Sequence, residues 1–205
     1  NFLDEGFRSM KIRVGSTNWK KDVERVKEVR NAIGPDIELM ADINQALEPK
    51  QAIQLGKKLE EYDLLWLEEP VASNNREGHA EVRSALATPI ASGENEYSLS
   101  GMREMIEAKA CDILMPDLQR IGGISEMRKV ANLAESHNLP ISTHIFTEHS
   151  LSVAGSVTNC LSVEHMPWFS KLFNEQIYVI NGYIDIPERP GTGFTFNESY
   201  IKLIN

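Results

Sequence analysis

A chain of 205 residues, 41% hydrophobic and 25% charged, has the composition of one globular domain with a sizeable core. Its net charge of −9, without any basic stripe, excludes a nucleic-acid-binding surface built on phosphate contacts. No run of 18 apolar residues occurs, and Cys111 and Cys160 stand apart with no CxxC, so neither a membrane-spanning helix nor a disulfide scaffold is expected.

The elements follow in chain order. FRSMKIRVG (7–15) reads as a strand with alternating faces, which puts Lys11 and Arg13 on one face and Met10, Ile12 and Val14 on the other. Val23, Val26, Val29 and Ile33 recur at helical spacing over 19–33, and Gly34-Pro35 stops that helix. A strand over 37–41 comes next, then a helix opened by Pro49 and running to about Glu60. Strand 64–67, loop SNNREGH and helix 77–86 continue the alternation. Strand 89–92, helix 98–108 and strand 112–115 repeat it, and Gly122-Gly123 precedes a helix over 124–136. Strand 140–143, helix 149–159 and strand 161–164 complete it. Beyond Glu164 the regularity ends in a hairpin around Asn181-Gly182 and a turn-rich segment, ERPGTGF.

Acidic residues close the apolar runs at a steady interval. Asp42, Glu68, Glu94 and Asp117 are 26, 26 and 23 residues apart, and His144 and Glu164 follow after 27 and 20 more. A strand, a helix and two short loops need about that many residues, so the pattern is one of repeated β/α units. Short apolar strands without polar alternation fit a sheet covered on both faces. The expected fold is α/β, a TIM-type (β/α)7β barrel that lacks its first strand here. Its body is expected over 1–190, with a tail over 191–205. A barrel carries its chemistry at the strand C-termini, where these polar residues fall.

Asp42, Glu68 and Glu94 are candidate metal ligands. Each alone could cap the helix that follows it. Three carboxylates on adjacent strand ends would repel one another unless they share a cation, and an all-oxygen set favours Mg²⁺ over Zn²⁺. Asp117 and His144 form a second pair: a carboxylate beside an imidazole fixes its tautomer and raises its pKa, which suits a general base or acid near neutral pH. Lys11 and Arg13 on the interior face would meet an anionic substrate or the carboxylates. Glu164 could be kept neutral and donate a hydrogen bond to an oxyanion. Asn44, Gln45 and Asn95 could reach a substrate hydroxyl. His79, His137, His149 and His165 have no such setting and default to structural or surface roles.

KIR (11–13), ADINQ (41–45), WLEEP (66–70), SGEN (92–95), MPDLQRIGG (115–123) and STHIFTEHS (142–150) together resemble the strand-end motifs of the enolase superfamily, mandelate racemase subgroup. The resemblance spans about residues 7–195. It implies Mg²⁺ on Asp42, Glu68 and Glu94 and removal of the proton α to a carboxylate, giving an enediolate. It implies that His144, paired with Asp117, is an acid/base catalyst, and that Lys11 and Glu164 contact the substrate carboxylate from opposite sides. It also implies a capping domain preceding the point where this chain starts.

One departure matters. The family commonly has Lys-x-Lys on the second strand, with the second lysine as opposite-face base; here Arg13 stands there. Arginine stays protonated and is a poor base. A one-base dehydration of an acid sugar to a 2-keto-3-deoxy acid is therefore expected. The alternatives are a racemase or epimerase of a 2-hydroxy acid, or a barrel that binds metal and ligand without turnover. The expected partner is a small-molecule carboxylate, with no nucleic acid and no membrane, in a cytoplasmic homo-oligomer.

Overall fold

The structure is a computed structural model and describes residues 2–201. Seven parallel strands form one sheet in sequence order: β1 (Ser9–Arg13), β2 (Glu38–Asp42), β3 (Leu64–Glu68), β4 (Ile90–Ser92), β5 (Ile113–Leu114), β6 (Ile141–Thr143) and β7 (Cys160–Val163). The crossover helices are α1 (Trp19–Ile33), α2 (Pro49–Leu59), α3 (Arg76–Ala85), α4 (Leu99–Glu107), the four-residue α5 (Leu118–Ile121), α6 (Ile124–Ser136) and α7 (Thr147–Ala154). This is an incomplete TIM barrel, in which every strand but the last is followed by a helix that packs back on the sheet. The edge strands β1 and β7 are not hydrogen-bonded to each other, yet Lys11 and Glu164 meet between them at 2.9 Å.

Strand alternation sorts the sequence into two apolar layers. Leu39, Ala41, Leu67, Ile90 and Leu114 face outward and join Val26, Leu55, Leu59, Met102 and Val130 of the helices in the main core. Met40, Trp66, Ala91, Ile113 and Met115 form a second cluster on the other face, the barrel interior. Fully burying each Val, Leu, Ile or Met among them is worth about 1.5–3 kcal/mol. Asp42 lies two residues beyond Met40 and Glu68 two beyond Trp66, so both carboxylates point inward above the apolar plug. On β1, Ile12 packs on the outer core, which leaves Lys11 and Arg13 on the inner face.

The short helix α5 was not expected from sequence, and two expected elements differ in form. Helix α7 begins at Thr147, not 149, because Ile145 and Phe146 turn through positive φ (33° and 49°), and it stops at Ala154. The hairpin around Asn181-Gly182 is one antiparallel bridge, Ile180 with Tyr183, closed by two residues at φ 51° and 86°. The rest of the C-terminal segment is a 3₁₀ turn, Pro167–Leu172, and a docked loop in which Phe173 packs against His149, Phe194 and Phe196. Of the expected tail, residues 202–205 lie outside the described residues.

Among the described residues no helix is long and apolar enough to cross a membrane. Both cysteines are free thiols, Cys111 buried and Cys160 partly so.

Candidate active site

The polar residues singled out by their spacing gather at the C-terminal ends of the strands. Asp42 and Glu68 are direct partners in the β2–β3 register, so their side chains stand side by side. Glu94 follows β4 by way of Gly93, whose φ of 133° is open to glycine and closed to most side chains. All three carboxylates are buried.

Each has its own cation. Glu68 Oε1 accepts from Lys11 Nζ at 2.5 Å, and Oε2 accepts from Trp66 Nε1 at 2.9 Å. Asp42 Oδ2 lies 3.3 Å from Arg13 Nη2, and Oδ1 accepts the Asn44 backbone N–H at 2.7 Å. Glu94 Oε1 lies 3.4 Å from Arg120 Nη1, which also donates to the Glu94 carbonyl at 2.9 Å. Burial nonetheless dominates at two positions. It raises Asp42 above its ordinary value and pushes Glu68 up to about 7, against the pull of Lys11.

A fourth carboxylate, missed from sequence, joins them. Glu69 is fully buried with φ 41°. Its Oε1 accepts from Asn95 Nδ2 at 2.9 Å, while Oε2 is buried without a hydrogen-bond partner. Burial, then the nearby Glu94, pushes it up to about 7. Strand alternation would aim Glu69 away from Glu68; the left-handed turn before Pro70 returns it to the cluster. Arg120 was also missed. It follows from Asp117, which caps α5 by accepting the N–H groups of Gln119 and Arg120, both at 2.9 Å, and so fixes where that helix begins.

The dyad is built across β5 and β6. Asp117 and His144 form a parallel bridge just beyond the paired residues of those strands. His144 Nδ1 lies 2.7 Å from Asp117 Oδ2, which leaves Nε2 turned to Glu94 Oε2 at 3.1 Å and Glu164 Oε2 at 3.9 Å. Burial lowers the imidazole pKa, but the Asp117 hydrogen bond and the charges of Glu94 and Glu164 outweigh it, so it lies above the ordinary histidine value. Burial would raise Asp117; the His144 and Arg120 hydrogen bonds outweigh it and hold its carboxyl below the ordinary value.

Lys11 joins the two halves, with Glu68 at 2.5 Å and Glu164 at 2.9 Å. Burial alone would lower its pKa, but these two carboxylates hold the ammonium well above its ordinary range. Glu164 Oε2 also accepts the Ile145 N–H at 3.3 Å. In both contacts its oxygens accept. Asn95 turns its amide to Glu69 and Glu94, whereas the Asn44 side chain is exposed and Gln45 accepts the Ser73 N–H at 2.8 Å. His79 is a core histidine whose Nδ1 contacts the Asn75 carbonyl and Nε2 the Ser92 hydroxyl.

Among the described residues, no three acidic, histidine or cysteine side chains converge on one point as ligands around a metal would. Each of the trio is rotated onto its own cation. The donor chemistry still fits a hard divalent ion: three carboxylates on adjacent strand ends, all oxygen, with a fourth buried carboxylate oxygen beside them unpaired.

An incomplete parallel barrel with carboxylates, a lysine and an Asp–His pair at its strand C-termini is the architecture of a barrel enzyme's active face. Residues 1–200 match the family model of the enolase C-terminal domain-like proteins, and the chain belongs to that family. It is 37% identical over 195 residues to L-talarate/galactarate dehydratase of Salmonella typhimurium, covering 95% of this chain and 49% of that protein. It superposes with a TM-score of 0.92 at 35% identity on L-talarate dehydratase from Polaromonas sp. JS666 complexed with Mg and L-glucarate, covering 95% of this chain and 55% of that one. A racemase from Streptomyces coelicolor A3(2) with bound magnesium superposes equally, with a TM-score of 0.92 at 31% identity, covering 97% and 55%. The chain spans about half the length of these relatives.

Proposed function

We propose that this chain is the catalytic barrel of a Mg²⁺-dependent acid-sugar dehydratase. The observation that carries the reading is the orientation of His144: Nδ1 is engaged by Asp117 at 2.7 Å, and Nε2 is left toward the acidic cluster. His144 removes the proton α to the substrate carboxylate. It then gives a proton to the β-hydroxyl, whose C–O bond breaks to release water and an enol that tautomerises to a 2-keto-3-deoxy acid. Asp117 keeps the tautomer fixed and stabilises the imidazolium formed in between. Lys11 holds the substrate carboxylate and Glu164 its other side, while Asn44 and Asn95 reach hydroxyls. Asp42, Glu68 and Glu94 would hold Mg²⁺. When bound there, Mg²⁺ supplies positive charge against the negative charge that develops on the substrate carboxylate. The body of the barrel is assigned to 1–190 and the tail to 191–205.

One base on one face, with the always-charged Arg13 in place of a second base, favours elimination over racemisation. The test is proton NMR of the full chain with Mg²⁺ and a panel of acid sugars in D₂O. A 2-keto-3-deoxy product supports dehydration. Deuterium at the α-carbon with the hydroxyl retained replaces that reading with epimerisation.

A further inference from the structure

The loop that leads from His144 into α7 is fastened to the end of β7 by hydrogen bonds that no step above uses. We infer that Thr147 is a positioning residue: its buried hydroxyl sets where Glu164 and His144 stand relative to each other. The inference rests on the dehydratase reading of the site.

Thr147 is the first residue of α7 and is fully buried. Its hydroxyl donates to the Glu164 carbonyl at 3.0 Å and lies 3.1 Å from His165 Nδ1. A hydroxyl has one proton. With that proton on the Glu164 carbonyl, the oxygen can only accept from His165, so Nδ1 carries the imidazole proton. Burial, which outweighs the nearby Glu148, lowers the His165 pKa and favours the neutral ring. The ring also stacks on Phe7, with centroids 6.1 Å apart and planes at 18°. His165 thereby holds the Thr147 hydroxyl turned to the carbonyl.

Two features make this fastening matter. Glu164 lies one residue beyond the edge strand β7. Its N–H donates to the Thr143 carbonyl at 3.1 Å, but no strand among the described residues pairs with the other edge of β7. Directly after His144, Ile145 and Phe146 turn through positive φ, 33° and 49°. That conformation is unfavourable for a β-branched residue and persists only where the surroundings hold it. The Ile145 N–H donates to Glu164 Oε2 at 3.3 Å, and the Ser150 hydroxyl donates to the Ile145 carbonyl at 3.4 Å. Together with Thr147, the loop grips both the side chain and the backbone of Glu164. The 3.9 Å between Glu164 Oε2 and His144 Nε2, and the 2.9 Å between Glu164 Oε1 and Lys11, depend on that grip.

The test compares two variants of the full chain. Thr147→Val keeps the shape and removes the hydroxyl; Thr147→Ser keeps the hydroxyl and removes a methyl group. With Mg²⁺ and an acid-sugar panel in D₂O, Thr147→Val is predicted to exchange the α-proton about 10²-fold more slowly, the effect of a displacement of about 1 Å. Its Mg²⁺ affinity, read by calorimetry, is predicted not to change, because Thr147 bonds to none of the carboxylate trio. Thr147→Ser is predicted to keep the wild-type rate. A packing role alone would reverse that order, because the serine is what leaves a cavity. His165→Phe, which keeps the stack and removes the donor, carries the test if Thr147→Val does not fold. Placement is read without substrate, from ¹H–¹⁵N spectra of the histidine rings. The His144 signals are predicted to move in Thr147→Val and to stay in Thr147→Ser. Wild-type exchange in Thr147→Val, equal losses in both variants, or unmoved His144 signals overturn the inference. A wild type without exchange, in which the His144 signals move as predicted, removes the dehydratase reading and keeps the placement; exchange with unmoved signals does the reverse.

Discussion

Asp117 Oδ2 and His144 Nδ1 are 2.7 Å apart, on neighbouring strand ends held in register by a backbone bridge. The pairing settles which imidazole nitrogen is free and raises the pKa of the ring. Asp117→Asn keeps the shape and loses the charge. It is predicted to lower kcat by about 10²–10⁴-fold, the range of a displaced general base. Because the variant removes a cause of the raised His144 pKa, the acid limb of the kcat/KM profile moves to lower pH. Steady-state kinetics across pH measures both.

Arg13→Lys places a group that can lose its proton on the face opposite His144. The variant is predicted to gain slow deuterium exchange with inversion at the α-carbon, read by NMR in D₂O. Exchange with retention only would show that this strand position does not face the α-carbon.

Stability of the chelator-treated chain is predicted to fall with rising pH between about 4.5 and 7. Glu68 and Glu69 go from 4.5 to about 7 on folding, so between those values the folded state binds more protons than the unfolded state. The stability they contribute is fully present below 4.5 and is lost as pH passes about 7. His144, also raised, acts in the same direction from 6.5 upward. Millimolar Mg²⁺ is predicted to flatten the curve and raise Tm near neutral pH by mass action. Thermal melts over pH 4–8, with and without Mg²⁺, check both.

Trp66→Phe removes one hydrogen bond from a buried carboxylate, the indole N–H at 2.9 Å from Glu68 Oε2. A loss of about 1.5–3 kcal/mol is predicted from denaturant unfolding, the cost of a bond to a charged group. Glu68→Gln in the same background is predicted to recover part of it, because a neutral amide tolerates burial better. Additive losses in the double variant would mean the two side chains are uncoupled.

The spacing of apolar runs made the β/α order readable, because each repeat must cover one strand with one helix. It also made the strand-end residues readable, since polar groups that close apolar strands at a steady interval must collect at one end of the sheet. Glu69 was hidden for a local reason: alternation assigns it to the face away from Glu68, and only the left-handed turn at φ 41° reverses that. Pro70 gave no signal for it, because the residue before a proline is ordinarily extended. Arg120 depends on Asp117 starting a four-residue helix, too short for any periodicity to announce. Glu164 was readable in position, but its contact with Lys11 was not, since it closes the gap between the two edge strands.

The most direct test compares wild type and His144→Asn for α-proton exchange into D₂O, with Mg²⁺ and a bound acid sugar, alongside calorimetry to confirm binding. The variant is predicted to bind the ligand still and to lose exchange by about 10²-fold or more. Exchange at the wild-type rate in a variant that binds normally would contradict this mechanism and remove the Asp117–His144 pair from the chemistry.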